Sequence, residues 1–102
     1  MSKTIVEVDA DLQDLIPQFL ENRKKDIDSF TLLISNKDFT AIAQLAHKVK
    51  GAAAGYGFND LSSLAAQAET AAKNNDLNSL SDLFEKMKVH FSNIEIRYVS
   101  TL

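Results

Sequence analysis

Near the C-terminal end of the chain, Leu77, Leu80, Phe84, Met87, Phe91, Ile94 and Tyr98 step by 3, 4, 3, 4, 3 and 4. That spacing stacks side chains along one face of an α-helix. At 1.5 Å per residue the run would extend about 32 Å. Three earlier stripes share the period. Ile16, Leu20, Ile27, Phe30 and Ile34 form the first, with Arg23 as its polar interruption. Phe39, Ile42, Ala46, Val49, Ala53 and Tyr56 form the second; Leu61, Leu64, Ala65, Ala68, Ala71 and Ala72 form a third built from small residues. Breakers are few: one proline, Pro17, and three glycines, all within Gly51–Gly57. No segment alternates apolar and polar residues for long enough to read as a strand. Helix-ending residues gather in Ser35-Asn36-Lys37, Gly55-Tyr56-Gly57-Phe58 and Asn74-Asn75, and connections this short make successive helices antiparallel neighbours. The expectation is a single all-α domain over residues 1–102, an antiparallel up-down four-helix bundle with a short N-terminal helical or irregular lead-in. In that lead-in Val6 and Val8 pack on the bundle, Asp9, Asp11 and Asp14 suit a helix start near Ala10, and Pro17 imposes a kink or a fresh start.

Several function classes fall away on composition. There is no cysteine, which removes disulfides and thiolate metal sites. No apolar run approaches the ~18 residues of a membrane span, and no apolar leader is present; a cytoplasmic protein is expected. Fourteen acids against eleven bases give a net charge of -3, which argues against nucleic acid as a partner. Yet from Phe39 through Asn59 no acidic residue occurs, while Lys48 and Lys50 follow His47. An acidic chain thus carries a locally positive patch at its central histidine, suited to phosphate or to an acidic pocket.

On a helix, His47, Lys50, Gly51 and Ala54 are spaced i, i+3, i+4 and i+7 and share a face. His47 is rotated about a third of a turn from the Ala46/Val49 stripe and so lies at or outside the buried edge. A neutral imidazole is a nucleophile near neutral pH, and Lys50 is a cation one turn away, able to stabilise the charge of a phosphoryl group. Glycine inside a helix costs about 1 kcal/mol relative to alanine. Gly51 and Ala54 then give access to something large approaching the ring. In an antiparallel hairpin turning near Tyr56–Phe58, a residue about eleven past the turn lies level with His47, which selects Gln67 to Glu69. Glu69 is the candidate that orients the imidazole by accepting a hydrogen bond from one ring nitrogen. His90 has no supporting pattern and reads as a surface residue. No histidine pair has metal-ligand spacing, and neither a phosphate-binding loop nor a nucleophile elbow occurs.

The run His47-Lys48-Val49-Lys50-Gly51-Ala52-Ala53 resembles the H-x-[aliphatic]-K-G-[small]-[small] signature of histidine-containing phosphotransfer (HPt) domains, bacterial free-standing type. The resemblance extends over nearly the whole chain. Pro17 to Arg23 with Asp26-Ile27 looks like the family's first long helix, and Gly57-Phe58-Asn59-Asp60-Leu61 followed by Ala68-Glu69 looks like its third. Ala52-Ala53 departs from the pattern, since serine is frequent there.

The resemblance implies a phosphohistidine carrier in a multistep two-component phosphorelay, with His47 as phosphoacceptor, Lys50 beside the phosphate and Glu69 near the ring. It implies a carrier rather than an enzyme, with no nucleotide site, no bound cofactor and no metal of its own. Partners would be receiver domains of response regulators, which bring the aspartate and Mg2+, with a hybrid sensor kinase as a further candidate. The docking patch would comprise Thr40, Ala43, Gln44 and Lys48 around Lys50, Gly51 and Ala54. A monomer is expected. The alternative is an HPt-like module that is never phosphorylated and only binds and sequesters a receiver domain. A third reading is a structural protein dimerising through apolar surface on Leu77–Tyr98.

Overall fold

Three connections of one design set the path of the chain. The computed structural model describes residues 3–100. Its order is β1 (Thr4–Asp9), a 3₁₀ segment (Ala10–Leu15), α1 (Ile16–Ser35), α2 (Phe39–Gly55), α3 (Asn59–Lys73), α4 (Leu77–Ser92) and β2 (Ile94–Val99). Between consecutive helices one residue takes a left-handed backbone: Lys37 at φ 54°, Gly57 at φ 86° and Asn75 at φ 54°. The next amide reaches back to close the preceding helix, Asp38 N to Leu33 O at 3.0 Å, Phe58 N to Ala53 O at 2.8 Å and Asp76 N to Ala71 O at 2.9 Å. This is the Schellman arrangement, in which the left-handed residue lets the last carbonyls find donors.

The residue that closes one helix also opens the next. Asp38 accepts from Ala41 N at 3.2 Å and Asp76 from Ser79 N at 3.1 Å, each satisfying an otherwise unpaired amide of the first turn. Phe58 stands in the same place but has no side-chain acceptor. Its ring is buried instead, with its centroid 4.7 Å from that of Phe19. Each link leaves no slack, so the helices run up and down as expected. Pro17 lies in the first turn of α1, where its missing N–H costs nothing, and the fresh start expected there is found.

The core is built from Ile16, Phe19 and Phe30 of α1, Ile42, Ala46, Val49 and Ala53 of α2, Leu61, Ala65, Ala68 and Ala72 of α3, and Leu80, Leu83, Phe84 and Met87 of α4. In the third reading, dimerisation used the apolar face of Leu77–Tyr98; its central residues Leu80, Phe84 and Met87 are buried within the chain. In α1 the polar interruption is itself buried. Arg23 Nε donates to Asp26 Oδ2 at 2.8 Å, and the guanidinium lies 5.1 Å from the Phe19 ring centroid. Arg23 and Asp26 compensate one another's charge, which is what lets both leave water.

Three expectations are corrected. The lead-in is not irregular over Thr4–Asp9, and the last stripe does not stay helical to Tyr98. The helix stops at Ser92, and Ile94–Val99 pairs parallel with β1, from Thr4 opposite Ile94 to Asp9 opposite Val99. Alternation explains it: Val6 and Val8 turn inward while Ile5 and Glu7 are exposed, and Ile94 and Ile96 turn toward the core while Glu95 and Arg97 do not. Val6 and Val8 do pack on the bundle, as strand residues. His90 is also not a surface residue. It is half-buried, and among the described residues its Nε2 is enclosed without a hydrogen-bond partner. Burial lowers its pKa below the usual histidine value by disfavouring the imidazolium, with the Asp60 charge opposing.

Two outcomes are expected. Lysine is strained at a left-handed position, so Lys37→Gly should raise the urea-unfolding free energy by about 0.5–1 kcal/mol. His90 has a folded-state pKa below its unfolded one. Its contribution is therefore fully present above the ordinary value near 6.5 and is lost as pH falls through the lower folded value. Stability should decline on acidification below neutrality, and His90→Leu should flatten that part of the profile in urea melts taken across the range.

Candidate functional site

α2 commits Ile42, Ala46, Val49 and Ala53 to the core. The next position round the helix from Ala46 is therefore turned outward, and the His47 side chain is 68% exposed. What holds it comes from α3. Alanines 65, 68 and 72 let that helix lie close against α2, and Ser62 Oγ donates to the Lys50 carbonyl at 3.0 Å, pinning the two in register. Glu69 then falls level with His47, with Oε2 3.1 Å from the imidazole Nδ1.

An ionised carboxylate only accepts hydrogen bonds, so the proton in this pair sits on Nδ1. The neutral ring then has its lone pair on Nε2. Glu69 is held from two further sides, Oε1 lying 3.3 Å from Lys50 Nζ and Oε2 3.3 Å from Lys73 Nζ. Burial is the largest single influence on this carboxyl and raises its pKa. The hydrogen bonds and charges of Lys50 and Lys73 together outweigh it, and the net shift is downward from the ordinary 4.5. Glu69 thus stays ionised, set between the imidazole and the two lysine ammonium groups.

The remaining sequence candidates divide between two sides of α2. Gly51 and Ala54 are exposed on the His47 face. A Cβ placed on Gly51 meets nothing within 4 Å among the described residues beyond its chain neighbours and the adjoining backbone of its own helix, so packing within the chain does not require glycine there. Ala43 and Gln44 join His47, Glu69 and Lys73 around a shallow hollow beside the ring. Thr40 is exposed one turn earlier. Lys48 is drawn the other way, toward α1, where its Nζ lies 3.5 Å from Asp26 Oδ1. Lys73 is the residue that sequence reading missed. The signal was present, because lysine four residues after glutamate on one helix is a favourable pair. Among the described residues no cluster of three metal-ligating side chains occurs, and no helix is long and apolar enough to cross a membrane.

Compared with known proteins, the chain matches the family model described as Hpt domain over residues 9–97. No curated protein and no solved structure matches it.

Because both lysines hold Glu69 ionised, Lys73→Ala should move its carboxyl pKa back up, read by carbon NMR of the glutamate carboxyl across an acid titration. The sign for stability follows. The Glu69 contribution is present above its unfolded value and is lost as pH falls through the depressed folded one. The variant should lose that contribution at a higher pH than the parent.

Proposed function

Because the chain belongs to the Hpt domain family, we propose that it is a phosphohistidine carrier, exchanging a phosphoryl group between His47 and the aspartate of receiver domains in a multistep phosphorelay. The observation that carries this reading is the ring itself. Its Nδ1 is held 3.1 Å from Glu69 while most of the side chain faces solvent beside the open space at Gly51.

In the forward step the Nε2 lone pair attacks phosphorus, and the bond from phosphorus to the aspartate oxygen breaks with its electron pair leaving on the carboxylate. No proton need depart. The phosphorylated ring keeps its Nδ1 proton and carries a positive charge, which Glu69 stabilises through the existing hydrogen bond. Lys50, only partly exposed and now paired with Glu69, lies where a small swing brings its ammonium against the incoming phosphoryl oxygens. The same atoms serve the return step, since the leaving imidazole needs no proton added at Nε2. The receiver domain supplies the aspartate and, with it, Mg2+ to offset the charge on its side of the transfer.

Docking uses the His47 face of α2, where Thr40, Ala43, Gln44, Gly51 and Ala54 present small and polar surface and Lys48 adds charge at one edge. Gly51 leaves room for the partner rather than for the bundle. The reading makes the protein a carrier and not a kinase, working in the cytoplasm with receiver domains and, as a further candidate, a hybrid kinase.

The test is uptake from a phosphorylated receiver domain in the presence of Mg2+. An acid-labile, alkali-stable phosphate on His47, absent in His47→Ala, is expected. Lys50→Ala should slow transfer by about 10- to 100-fold with the fold intact. Gly51→Gln should raise helix stability by about 0.5–1 kcal/mol while impairing transfer. No transfer, with receiver binding that survives His47→Ala, would replace the carrier by the sequestering module.

A further inference from the structure

Among the described residues β2 is bonded on one side only. Thr4 lies opposite Ile94, and its N–H donates to Asn93 O at 2.9 Å. In a parallel ladder a residue bonds to the two neighbours of its opposite number. Asn93, Glu95, Arg97 and Val99 therefore turn their backbone groups toward β1, while Ile94, Ile96 and Tyr98 turn theirs away. The far side of β1 faces the α2–α3 turn, which approaches closely at Gly57, whose Cβ position lies 3.2 Å from Glu7 O, and leaves a hollow lined by Glu7, Asn59 and Asp60 beside it. On the far side of β2 no strand pairs among the described residues. Among the described residues, no hydrogen bond outside the ladder uses the outward groups of Ile94, Ile96 or Tyr98. Tyr98 is one of the exposed large apolar residues of the protein, and an unpaired strand edge of this kind is a template for another strand.

The side chains say which strand fits. Glu95 and Arg97 are exposed on the outer face and lie 3.4 Å apart. We propose that β2 is a dimerisation strand, two copies pairing antiparallel about a two-fold axis through Ile96 to form a continuous sheet β1-β2-β2-β1. In that register Ile96 exchanges both hydrogen bonds with its symmetry mate, and Ile94 does so with Tyr98 of the second copy, which uses every outward backbone group. Glu95 then faces Arg97 of the second copy in the closer, non-hydrogen-bonded position, and the two-fold axis repeats the pair.

Neighbouring registers are excluded by the same residues. A slip of two positions one way sets Glu95 against Glu95, and a slip the other way sets Arg97 against Arg97. A slip of one position brings outward backbone groups opposite inward ones and turns the Ile94/Ile96 face over. A strand complementary to itself in one register points to a second copy as the occupant. The interface leaves His47 free, because His47 lies ten residues before Gly57, about 15 Å back along α2. The inference stands apart from the carrier reading, and it departs from the monomer expected from sequence.

Light scattering on the full chain, from micromolar to millimolar concentration, should show the mass rising from one chain toward two. Amide hydrogen exchange at Ile96 and Tyr98 should slow in step. Arg97→Glu, which sets two glutamates together on each side of the axis, should weaken association by about tenfold. The exchange Glu95→Arg with Arg97→Glu should restore it. Tyr98→Pro removes an outward N–H that β1 does not use and should abolish it, with circular dichroism checking that the helices persist. The wild-type measurement decides even if a variant unfolds. A one-chain mass throughout overturns the proposal, as does a dimer in which the Ile96 and Tyr98 amides exchange no more slowly.

Discussion

The distance between α2 and α3 governs the chemistry of the protein. Imidazole and carboxylate come from different helices, and α3 buries small side chains at Ala65, Ala68 and Ala72, which favours a close approach. Helices meet at 8–10 Å according to the side chains between them, and small residues give the short end of that range. The hydroxyl of Ser62, bonded to the Lys50 carbonyl, fixes the sliding coordinate that alanine alone would leave loose. Enlarging one of these alanines would therefore disturb the ring before it disturbed the fold, because a side chain held by a single hydrogen bond is more sensitive to a small shift than a packed core is.

Charge at the site is arranged around an anion that is never left alone. Glu69 is largely covered, and a covered carboxylate persists only when donors compensate it. Three donors do so here, and each has a separate use. The imidazole bond fixes the tautomer. Lys73 stays on the same helix as a constant partner. Lys50 lies on the carboxylate, and in the proposed carrier role it would also answer an arriving phosphoryl group. Holding the lysine on an internal anion keeps it near the ring between encounters, at less entropic cost than ordering a free side chain each time.

How far the amino-acid order discloses this depends on whether the partners are near in sequence. The helices, their turns and the outward placement of His47 follow from local rules, since a 3, 4 stripe and a left-handed break act within a few residues. The His47–Glu69 pairing was reachable by counting across one short turn. Arg23 was legible as an interruption but not as a core residue, because its burial depends on Asp26 three positions later and on the Phe19 ring. The strands were concealed for a different reason. Phe91, Ile94 and Tyr98 satisfy a helical spacing, and Ile94, Ile96 and Tyr98 also satisfy alternation, so the pattern serves both structures. The choice between them is made by Thr4–Asp9 at the opposite end of the chain.

That dependence has a consequence for synthesis. The turns between helices are made of neighbours, so each helix can dock on the previous one soon after it is complete. β1 is made before all four helices and its partner β2 after them, and a contact of such long sequence separation forms late. Until Ile94–Val99 arrives, Val6 and Val8 lack the strand that fixes them over the end of the bundle. A chain interrupted after the fourth helix would hold its histidine pocket in outline yet keep a loose apolar N-terminal segment, the kind of exposed surface that quality-control machinery recognises. The ribbon therefore ties the segment before the helices to the segment after them, and it closes only when all four helices lie between its strands.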